Sequence, residues 1–550
     1  MASSDASHLD VEIPLLDGAV DFSGRKVNRS SFGGWRSASF IIGVEVAERF
    51  AFYGISFNLM IYLTGPLGQS TVRAAESVNL WSGTTTMLPL VGAFIADSFL
   101  GRYRTIVIAS LIYILGLGML SATAMLPLPE RSSEKISSGV ASTSVNLRLV
   151  LFYLSLYIIA IAQSGHKPCV QAFGADQFDG DDSYESKAKS SFFNWWYFCM
   201  NAGILVSTLS LPYIMDNLNW ALGFGIPCVI MVVALAIFLM GTKTYRFVVR
   251  TNEKSAFARI GSVFCTAAKN WQTSVPHQGS EQFKFLNKAL YIPAEQHGKN
   301  KCTAAEVEEA RAVLRLGPIW ASCLIYGIVF AQSSTFFTKQ GSMMDRSTRF
   351  GIDIPAASLQ SFIAIAIMVL MPIYDLAFIP VARKITGKLS GITMLQRIGT
   401  GMVISALSML IAALVEQKRL KMALGINPLA TVPMSVWWLI PQYFLFGVAD
   451  VFTMVGLQEF FYDQVPTEVR SMGLSLYLSI FGIGNFLSSL LISVVEYITS
   501  STLEYSWFSD DLNLAHLDYF YWLLAGLSFL GFAIYVNSAK AYIYNRAVAL

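Results

Sequence analysis

The sequence predicts an all-α membrane protein whose twelve transmembrane helices form two six-helix bundles. Of its 550 residues, 54% are hydrophobic and 14% are charged, whereas an ordinary soluble domain carries about 25% charged residues. The mean hydropathy is +0.52. Apolar stretches long enough to cross a bilayer, about 20 residues each, recur along the chain. A long polar segment separates the first six stretches from the last six.

The predicted spans follow one another with short connections within each half. They cover residues 37–63, 78–99, 105–126, 147–170, 191–214, 219–241, 316–338, 356–380, 392–416, 435–461, 472–497 and 517–538. The chain accordingly divides into five parts. These are a cytosolic N-terminal tail (1–36), an N-terminal bundle (37–241), a cytosolic linker (242–315), a C-terminal bundle (316–538) and a cytosolic C-terminal tail (539–550).

The linker is polar and basic, with twelve Lys and Arg residues between positions 242 and 315. Two of its pieces, Lys254–Asn270 and Ala304–Leu316, show the apolar periodicity of helices with one polar face. Such amphipathic helices are typical of segments that lie along a membrane surface.

Lys and Arg concentrate in the cytosolic loops of membrane proteins, so their positions predict the orientation. Basic residues gather in the N-terminal tail, in the linker and in the connections on the same side, at Arg25, Lys26, Arg29, Arg36, Arg102, Arg104, Arg383, Lys384, Lys388 and Arg470. Lys418, Arg419 and Lys421, on the opposite side, are exceptions. The majority places both termini and the linker in the cytosol.

Composition and motifs disfavour several classes of function. The net charge of +3 is too small for a nucleic-acid-binding protein, and the six Cys lack metal-site spacing. The chain contains neither the Gly-x-x-x-x-Gly-Lys-Ser/Thr sequence of an ATP-driven pump nor the filter or voltage-sensor motifs of a channel. The five His are scattered, which argues against a membrane enzyme. We therefore expect no cofactor, no metal and no nucleic-acid partner.

Three ionisable residues interrupt the first apolar stretch, Ile41–Tyr53. Each charged group in a membrane helix costs about 2.5–3.5 kcal/mol on insertion scales, so Glu45, Glu48 and Arg49 must face a wet cavity or one another. Positions i, i+3 and i+4 share one helix face. This spacing predicts that Glu45 pairs with Arg49, that Glu48 lies beside them and that Tyr53 continues the same face.

Further ionisable residues lie in the fourth and tenth stretches. His166 and Lys167 precede Pro168, which weakens the backbone hydrogen bonding of a helix and can kink it, giving water a route to Lys167. Asp450 and Glu459 are nine residues apart, which is about half a turn out of phase at 100° per residue. At most one of them therefore faces a central cavity. We expect Asp450 to be structural and His166 to be packed or interfacial.

Two six-helix bundles joined by a linker suit a transporter whose near-rigid halves move about a central site. Lys167 in the first bundle and a carboxylate in the second could form an ion pair between the bundles. Such a pair, attractive in one state and broken in another, is the kind of element that a two-state transporter requires.

Several segments resemble the signatures of a known family. Glu45-Val-Ala-Glu-Arg49 resembles the E-x-x-E-R signature of proton-coupled oligopeptide transporters. Four further segments resemble the plant nitrate/peptide branch of that family: Phe173-Gly-Ala-Asp-Gln-Phe178, Phe192-Phe-Asn-Trp-Trp-Tyr197, Gly391-Ile-Thr-Met-Leu-Gln-Arg397 and Gln458-Glu-Phe-Phe-Tyr-Asp463. The resemblance extends from about residue 35 to about residue 540 and implies the major facilitator fold.

The resemblance implies a role for each matching residue. Glu45, Glu48 and Arg49 would form a proton-coupling cluster, in which protonation of a carboxylate releases Arg49 toward an anionic substrate group. Lys167 and Glu459 would line the substrate cavity, one from each bundle. Three alternatives stay open: a purely structural salt bridge in the cluster, a Lys167 that extends to the membrane surface, and a Glu459 that caps a helix end.

The seventh span contributes Phe330 and Gln332 to the predicted cavity, which Tyr53 also lines. Where the nitrate-selective member of the family has a His before Ala-Gln, this chain has Phe330, which offers no donor to an anion. A larger organic or peptide-like solute would suit Phe330 and Gln332 equally well.

The segment Gly92–Arg104 resembles the major facilitator loop between the second and third helices. It has one additional residue between Asp97 and Gly101. By this resemblance, Asp97 and Arg102 would act as a gating latch on the cytosolic side rather than contact the substrate.

These inferences predict a proton-coupled symporter of nitrate, di- or tripeptides, or another small organic solute, working by alternating access. A non-transporting membrane sensor on the same fold is the alternative. The partners of the symporter would be a small solute, protons and the lipid bilayer, and we expect the protein to be a monomer or a weak dimer. Glu12–Leu16 resembles an acidic dileucine sorting signal, so the vacuolar membrane and the plasma membrane are both candidate locations.

Overall fold

The structure, a computed structural model, describes residues 15–126, 139–179, 182–248, 256–271, 283–290, 302–348, 351, 353–387, 392–425, 430–466, 470–502 and 506–542. Its helices are α1 (Gly34–Thr64), α2 (Thr71–Ile95), α3 (Arg102–Met125), α4 (Gly139–Ala175), α5 (Ser183–Asn217), α6 (Trp220–Met240), α7 (Ala256–Lys269), α8 (Ala304–Arg315), α9 (Gly317–Phe330), α10 (Phe336–Ser342), α11 (Ser361–Ile373), α12 (Ile379–Thr386), α13 (Met394–Ala423), α14 (Ile440–Asp463), α15 (Arg470–Thr502) and α16 (Leu517–Ala541). Short strands are β1 (Leu15–Val20), β2 (Lys26–Asn28), β3 (Phe247–Val248), β4 (Met344–Asp345) and β5 (Val432–Ser435).

Ten helical segments of the described chain are long and apolar enough to cross a membrane. The first two predicted spans correspond to α1 and α2, which are not among these ten segments. α1 carries Glu45, Glu48 and Arg49, and α2 is rich in Ser and Thr. Both are nevertheless long, with 31 and 25 residues, and both pack against other helices of the N-terminal half.

Several helices extend beyond the predicted spans. α2 begins at Thr71 rather than at residue 78, because the side chain of Ser70 caps it by accepting a hydrogen bond from the backbone of Arg73. α4 continues through Pro168 to Ala175 as one helix. The predicted spans were too short because polar turns at helix ends carry no hydropathy signal.

The helices form two bundles, and the ends of the bundles define two sides of the molecule. We call the side with the connection between α6 and α9 the linker side, and the opposite side the distal side. In the N-terminal bundle α3 packs on α4 and α6, while α1 packs on α5 and α6. In the C-terminal bundle α13 packs on α14 and α16, while α9 packs on α15 and α16.

α2 and α15 form an extensive contact between the two bundles. A Cβ atom added to Gly83 of α2 would lie 2.5 Å from the ring of Phe486 and 2.9 Å from the carbonyl oxygen of Gly482. A Cβ atom on Gly482 would in turn lie 2.6 Å from Met87. Small residues let membrane helices approach closely, so these two glycines permit the short distance between the bundles.

Polar contacts also join the bundles on the distal side. The pairs are Asp216–Arg346, Thr71–Asp510 and Glu76–Ser493. The first is an ion pair with an N–O distance of 3.3 Å, and in the second the Thr71 backbone amide donates to Asp510 Oδ1 at 2.7 Å. A cavity of about 390 Å³ lies beside the ion pair, and its lining includes Ile61. These contacts connect the two bundles on the distal side.

The seventh and eighth spans are interrupted helices. α9 ends at Phe330, a 3₁₀ turn covers Ala331–Ser333, and α10 completes the span. In the eighth span, a 3₁₀ turn over Ala356–Gln360 precedes α11, and a π-helical turn over Tyr374–Phe378 separates α11 from α12. Interrupted membrane helices often line binding sites, because irregular backbone is tolerated where it borders a cavity.

The N-terminal segment is attached to the linker side of the N-terminal bundle by a small sheet, in which β1 pairs with both β2 and β3. Arg246 precedes β3, is 1% exposed and forms a bidentate ion pair with Glu185 of α5 at 2.7 and 3.0 Å. The same guanidinium donates to the backbone oxygens of Phe32 and Arg29. Hydrogen bonding to Asp179 raises the pKa of Arg29 above its ordinary value. Arg246 thus links the N-terminal segment to α5.

The linker helices α7 and α8 pack beneath the C-terminal bundle. Ile260, Val263 and Val307 belong to one buried apolar cluster with Ile398 and Phe460 of the bundle. Thr303 and Glu306 form a reciprocal capping box, which fixes the start of α8. Both helices occupy the parts of the linker where the sequence shows amphipathic periodicity.

Two of the three basic residues that oppose the charge rule, Arg419 and Lys418, have local partners. Glu416 and Arg419 are both 0% exposed and form a bidentate pair at 2.6 and 2.9 Å. Gln340 donates to the same carboxylate at 2.7 Å, and Arg419 also donates to Asn513 at 2.8 Å. Lys418 lies over the ring of Trp438. Arg419 is therefore a neutralised interior residue, and it does not act as a loop charge.

Candidate functional site

Glu45, Glu48 and Arg49 lie together on one face of α1. Arg49 Nε donates to Glu45 Oε1 at 2.8 Å and lies 3.3 Å from Glu48 Oε2. The three residues are 2%, 0% and 4% exposed. They face one another rather than open water, and with two carboxylates and one guanidinium their formal charge is negative. A negative buried group needs a neighbouring cation or a proton.

Lys167 of α4 supplies the neighbouring positive charge. Its ammonium group interacts electrostatically with Glu48, Glu45 and Arg49. Among the described residues this half-buried side chain makes no ion pair and no hydrogen bond. Lys167 therefore balances the charge of the α1 cluster at a distance and keeps its three donor positions available.

Two further side chains of α4, Gln163 and His166, reach the cluster. Both are 0% exposed, and Gln163 lies beside Glu48. One ring nitrogen of His166 lies within 4.8 Å of carboxylate oxygens of both Glu45 and Glu48. The expectation that His166 is packed agrees with its burial, but the hydropathy pattern did not place it against the carboxylates. Polar residues at positions i and i+3 of an apolar helix are the signal that could have found this pair.

Aromatic side chains from both bundles meet next to the cluster. Tyr53 continues the α1 face, is half-buried and packs edge-on against Phe52 with ring centroids 5.3 Å apart. The hydroxyls of Tyr53 and Tyr197 lie close enough to Tyr477 of α15 to interact electrostatically. These tyrosines therefore bring side chains of α1, α5 and α15 together between the bundles.

Asp450 of α14 lies near this tyrosine group. It is 4% exposed, accepts a hydrogen bond from the hydroxyl of Tyr326, and acts electrostatically on Tyr197 and Tyr477. The phase argument allowed only one of Asp450 and Glu459 to point to the centre, and of the two it is Asp450 that lies near the tyrosines. Sequence reasoning placed Glu459 in the cavity and gave Asp450 a structural role, and both roles stay predictions.

Glu459 lies further toward the linker side and is 46% exposed. Its carboxylate is 3.3 Å from Arg397, whose guanidinium also donates to the backbone oxygen of Val451 and stacks over the ring of Tyr374. In this conformation Glu459 lies with Arg397, whereas Lys167 lies with the α1 cluster. A pair between Lys167 and Glu459 stays a prediction for another state.

Phe330 and Gln332 stand at the interruption of the seventh span. Phe330 is half-buried and packs against Phe446 and Phe481, with ring centroids 6.0 and 5.1 Å away. Gln332 is fully buried and donates to Ser488 Oγ at 3.1 Å. Because Asn79 of α2 donates to the same Ser488 oxygen, Gln332 belongs to the junction between the bundles.

Arg102, at the start of α3, forms an ion pair with Asp176 at the end of α4, at 2.5 Å. The side chain of Asp97 lies outside the described residues, as do Glu12, Ile13 and Pro14 of the sorting-signal resemblance. The latch between Asp97 and Arg102 therefore stays a prediction. Leu15 and Leu16 form the start of β1.

By donor type, Glu45, Glu48 and His166 form a group that could hold a metal ion, since one ligand atom from each lies within 4.8 Å of the others. Arg49 already places a guanidinium 2.8 and 3.3 Å from the two carboxylates. A divalent cation would have to displace that charge, so the arrangement suits a proton better than a metal.

A family model described as PTR2, the POT family, matches residues 103–508 of this chain. The chain belongs to the POT family. POT proteins are transporters rather than enzymes, and this member is a multi-pass membrane protein of the major facilitator fold.

Arabidopsis thaliana relatives place the chain in the plant NRT1/PTR branch of the POT family. Protein NRT1/PTR FAMILY 5.10 is 59% identical over 550 residues, covering 97% of each chain. NRT1/PTR FAMILY 5.12 is 54% identical, covering 96% of each chain, and NRT1/PTR FAMILY 5.14 is 53% identical, covering 98% of this chain and 99% of the relative.

Solved POT structures share the fold. An auto-inhibited POT family peptide transporter superposes with a TM-score of 0.72 at 24% identity, covering 93% of this chain and 98% of the other. The POT family transporter PepTSo gives a TM-score of 0.72 at 23% identity, covering 92% and 98%. This likeness confirms the predicted all-helical two-bundle architecture.

Proposed function

We propose that this POT family member is a proton-coupled symporter that moves nitrate, a di- or tripeptide or another small organic solute by alternating access. The observation that carries the proposal is the α1 cluster, in which the guanidinium of Arg49 contacts two buried carboxylates. The ammonium group of Lys167 lies nearby and, among the described residues, makes no ion pair or hydrogen bond of its own. A proton on one carboxylate changes the charge balance of the whole group, so proton binding and anion binding are linked.

Glu48 is the better proton acceptor of the two carboxylates. Glu45 Oε1 accepts a hydrogen bond from Arg49, whereas in the described part of the chain neither oxygen of Glu48 has a hydrogen-bond partner. An unsatisfied buried carboxylate carries a large desolvation cost, which protonation removes. Once Glu48 is protonated and neutral, Arg49 would pair with Glu45 alone, and the positive charge of Lys167 would no longer be balanced by a carboxylate. Lys167 would then attract the anionic group of a solute.

The distal contacts support alternating access. The bundles meet through α2 and α15 and through the ion pair Asp216–Arg346, all in the middle or distal half. We infer that this conformation is closed distally and opens toward the linker side. Because Lys and Arg concentrate in cytosolic loops, their distribution in this chain would make the linker side the cytosolic one.

The site favours a solute with both an anionic and an apolar part. Lys167 offers a positive charge from the N-terminal bundle, and Phe330 with the tyrosines offers aromatic surface. A non-transporting sensor on the same fold is the alternative, and it predicts binding without accumulation. Location at the vacuolar or the plasma membrane belongs to the proposal and is tested by a fluorescent fusion of the full chain.

Uptake into proteoliposomes tests the proposed function. We expect nitrate, dipeptides or another small organic solute to accumulate when the source side is acidified, and Glu48→Gln to lose this accumulation while retaining exchange of solute across the membrane. Glu308→Gln, which alters an exposed linker carboxylate, is the matched control and should behave as wild type. Accumulation against a gradient by Glu48→Gln, or wild-type uptake indifferent to pH for every solute, would refute the proposal.

A further inference from the structure

Several polar atoms in and around the α1 cluster lack a well-formed hydrogen bond. Within the part of the chain that the structure describes, no hydrogen bond of normal geometry reaches Glu45 Oε2, either Glu48 oxygen, either nitrogen of His166, either amide atom of Gln163 or the Tyr113 hydroxyl, although Gln163 and Tyr113 both lie beside Glu48. Buried polar groups in native proteins are almost always satisfied. Several unpaired polar atoms in one place, contributed by α1, α3 and α4, therefore indicate a shared function.

Besides the two carboxylates, His166 is the one member of this group whose side chain can take up a proton near neutral pH. Its ring is 0% exposed, and a ring nitrogen lies within 4.8 Å of both carboxylates, a separation that one bridging water spans or a rotation of the side chains closes to a hydrogen bond. Tyr113 of α3 packs edge-on to the ring, with centroids 6.5 Å apart. The groups that face the ring are thus Glu45, Glu48 and Arg49 from α1, Tyr113 from α3, and Gln163 and Lys167 from α4.

Imidazole suits this position because one neutral ring nitrogen donates and the other accepts. A positive ring beside Arg49 would be costly in a buried site, so the ring is neutral while both carboxylates are charged. When a proton enters, the carboxylic acid that forms can donate to the free ring nitrogen. The imidazole then stabilises the protonated form of the cluster without carrying a full charge beside Arg49.

We propose that His166 is a positioning residue of the proton site, which holds the transported proton on the α4 side of Glu48 through a carboxyl–imidazole hydrogen bond. This inference rests on the proposed function for its physiological meaning. Its physical content is a property of the resting protein and needs no solute. The entering proton goes to a Glu48 oxygen, the ring keeps its own proton on the other nitrogen, and no further reactant is required.

Infrared titration of the full-length protein in lipid nanodiscs tests the inference. The carboxylic acid band that disappears in Glu48→Gln is assigned to protonated Glu48. The pH at which this band reaches half its full height is the midpoint of Glu48 protonation. We expect His166→Leu, which is similar in size but has no atom that can accept a hydrogen bond, to move this midpoint down by about one pH unit, a tenfold loss of proton affinity. His166→Phe is a second variant, in case the first folds poorly.

His516→Gln is the matched control, because His516 is 44% exposed and lies on the distal side at the start of α16. It should leave the midpoint unchanged. A midpoint in His166→Leu and His166→Phe equal to that of wild type would overturn the inference and leave the proposed function standing. If the midpoint moves down in the His166 variants as expected, but solute uptake by the wild-type protein does not depend on pH, the proposed function is rejected and the role of His166 is retained.

Discussion

Single side chains in this protein are placed by charge neutralisation within the bundles. Arg49 lies between Glu45 and Glu48, and Arg419 lies against Glu416. The two groups differ in how completely they are satisfied. Glu416 also accepts from Gln340, whereas both oxygens of Glu48 lack a hydrogen-bond partner in the described residues. The complete network of Glu416 is a structural one, and the incomplete network of Glu48 is the kind that proton binding completes.

Glu416→Gln should destabilise the C-terminal bundle. Removing one partner of a fully buried ion pair costs about 3–5 kcal/mol, because the remaining charge is left uncompensated. We expect a clear drop in the apparent melting temperature in detergent. The double variant Glu416→Gln with Arg419→Met removes both charges and should recover part of the loss. Glu308→Gln, at an exposed ion pair, is the control. An equal drop in Glu308→Gln and Glu416→Gln would contradict this reading.

The helices α2 and α15 hold the bundles together through small residues. Their crossing at Gly83 and Gly482 leaves no space for a side chain on either helix. α9 and α15 make a similar close contact, where a Cβ atom on Gly327 would lie 2.5 Å from the backbone oxygen of Ile480. α15 therefore contacts both α2 and α9 through glycines, and rocking of the bundles must occur around these close contacts.

Gly83→Ala should weaken the distal closure of the bundles. Overpacking of a tight contact costs about 1–3 kcal/mol, which corresponds to a shift of about 5- to 150-fold between two states. We expect slower uptake, together with greater reactivity of a cysteine introduced at Asp216 toward a thiol reagent applied to the distal side. Gly526→Ala is the matched control, since its added Cβ meets nothing within 4 Å. Wild-type uptake and reactivity in Gly83→Ala would show that the crossing tolerates a methyl group.

As a whole, the molecule is held together on the distal side by polar contacts between its halves. Asp216, Thr71 and Glu76 of the N-terminal half meet Arg346, Asp510 and Ser493 of the C-terminal half. Every one of these contacts must break for the distal side to open. A transporter cycle therefore requires these contacts to be individually weak, which fits partly exposed polar pairs.

Arg346→Glu should favour opening of the distal side, because two carboxylates would then face each other. Reversing a partly exposed pair is worth about 1 kcal/mol, or about fivefold in population. We expect a severalfold change in uptake rate that diminishes at high salt. The swapped variant Asp216→Arg with Arg346→Glu restores the attraction and should return the rate toward wild type. If the swap performs no better than Arg346→Glu alone, the ion pair is not part of the closure.

Much of the architecture was predictable because it depends on local composition. Hydropathy located the helices of both bundles, and the i, i+3, i+4 spacing placed Glu45, Glu48 and Arg49 on one face of α1. Helix ends were predicted less well, as at Thr71, because a cap such as Ser70 outweighs hydropathy there. The sheet at the N-terminal segment was not predicted, since β1 and β3 are more than 200 residues apart in sequence.

The sequence alone determined that this is a multi-pass α-helical membrane protein with an ionisable cluster in its first span, because length, hydropathy and helical periodicity are properties of neighbouring residues. Only the tertiary structure decided which distant groups complete the cluster and which do not. It placed His166 against Glu45 and Glu48, Glu459 against Arg397, and Asp450 beside Tyr326. The rotation of each helix in its bundle sets these partnerships, and that rotation is fixed by packing among all the helices together.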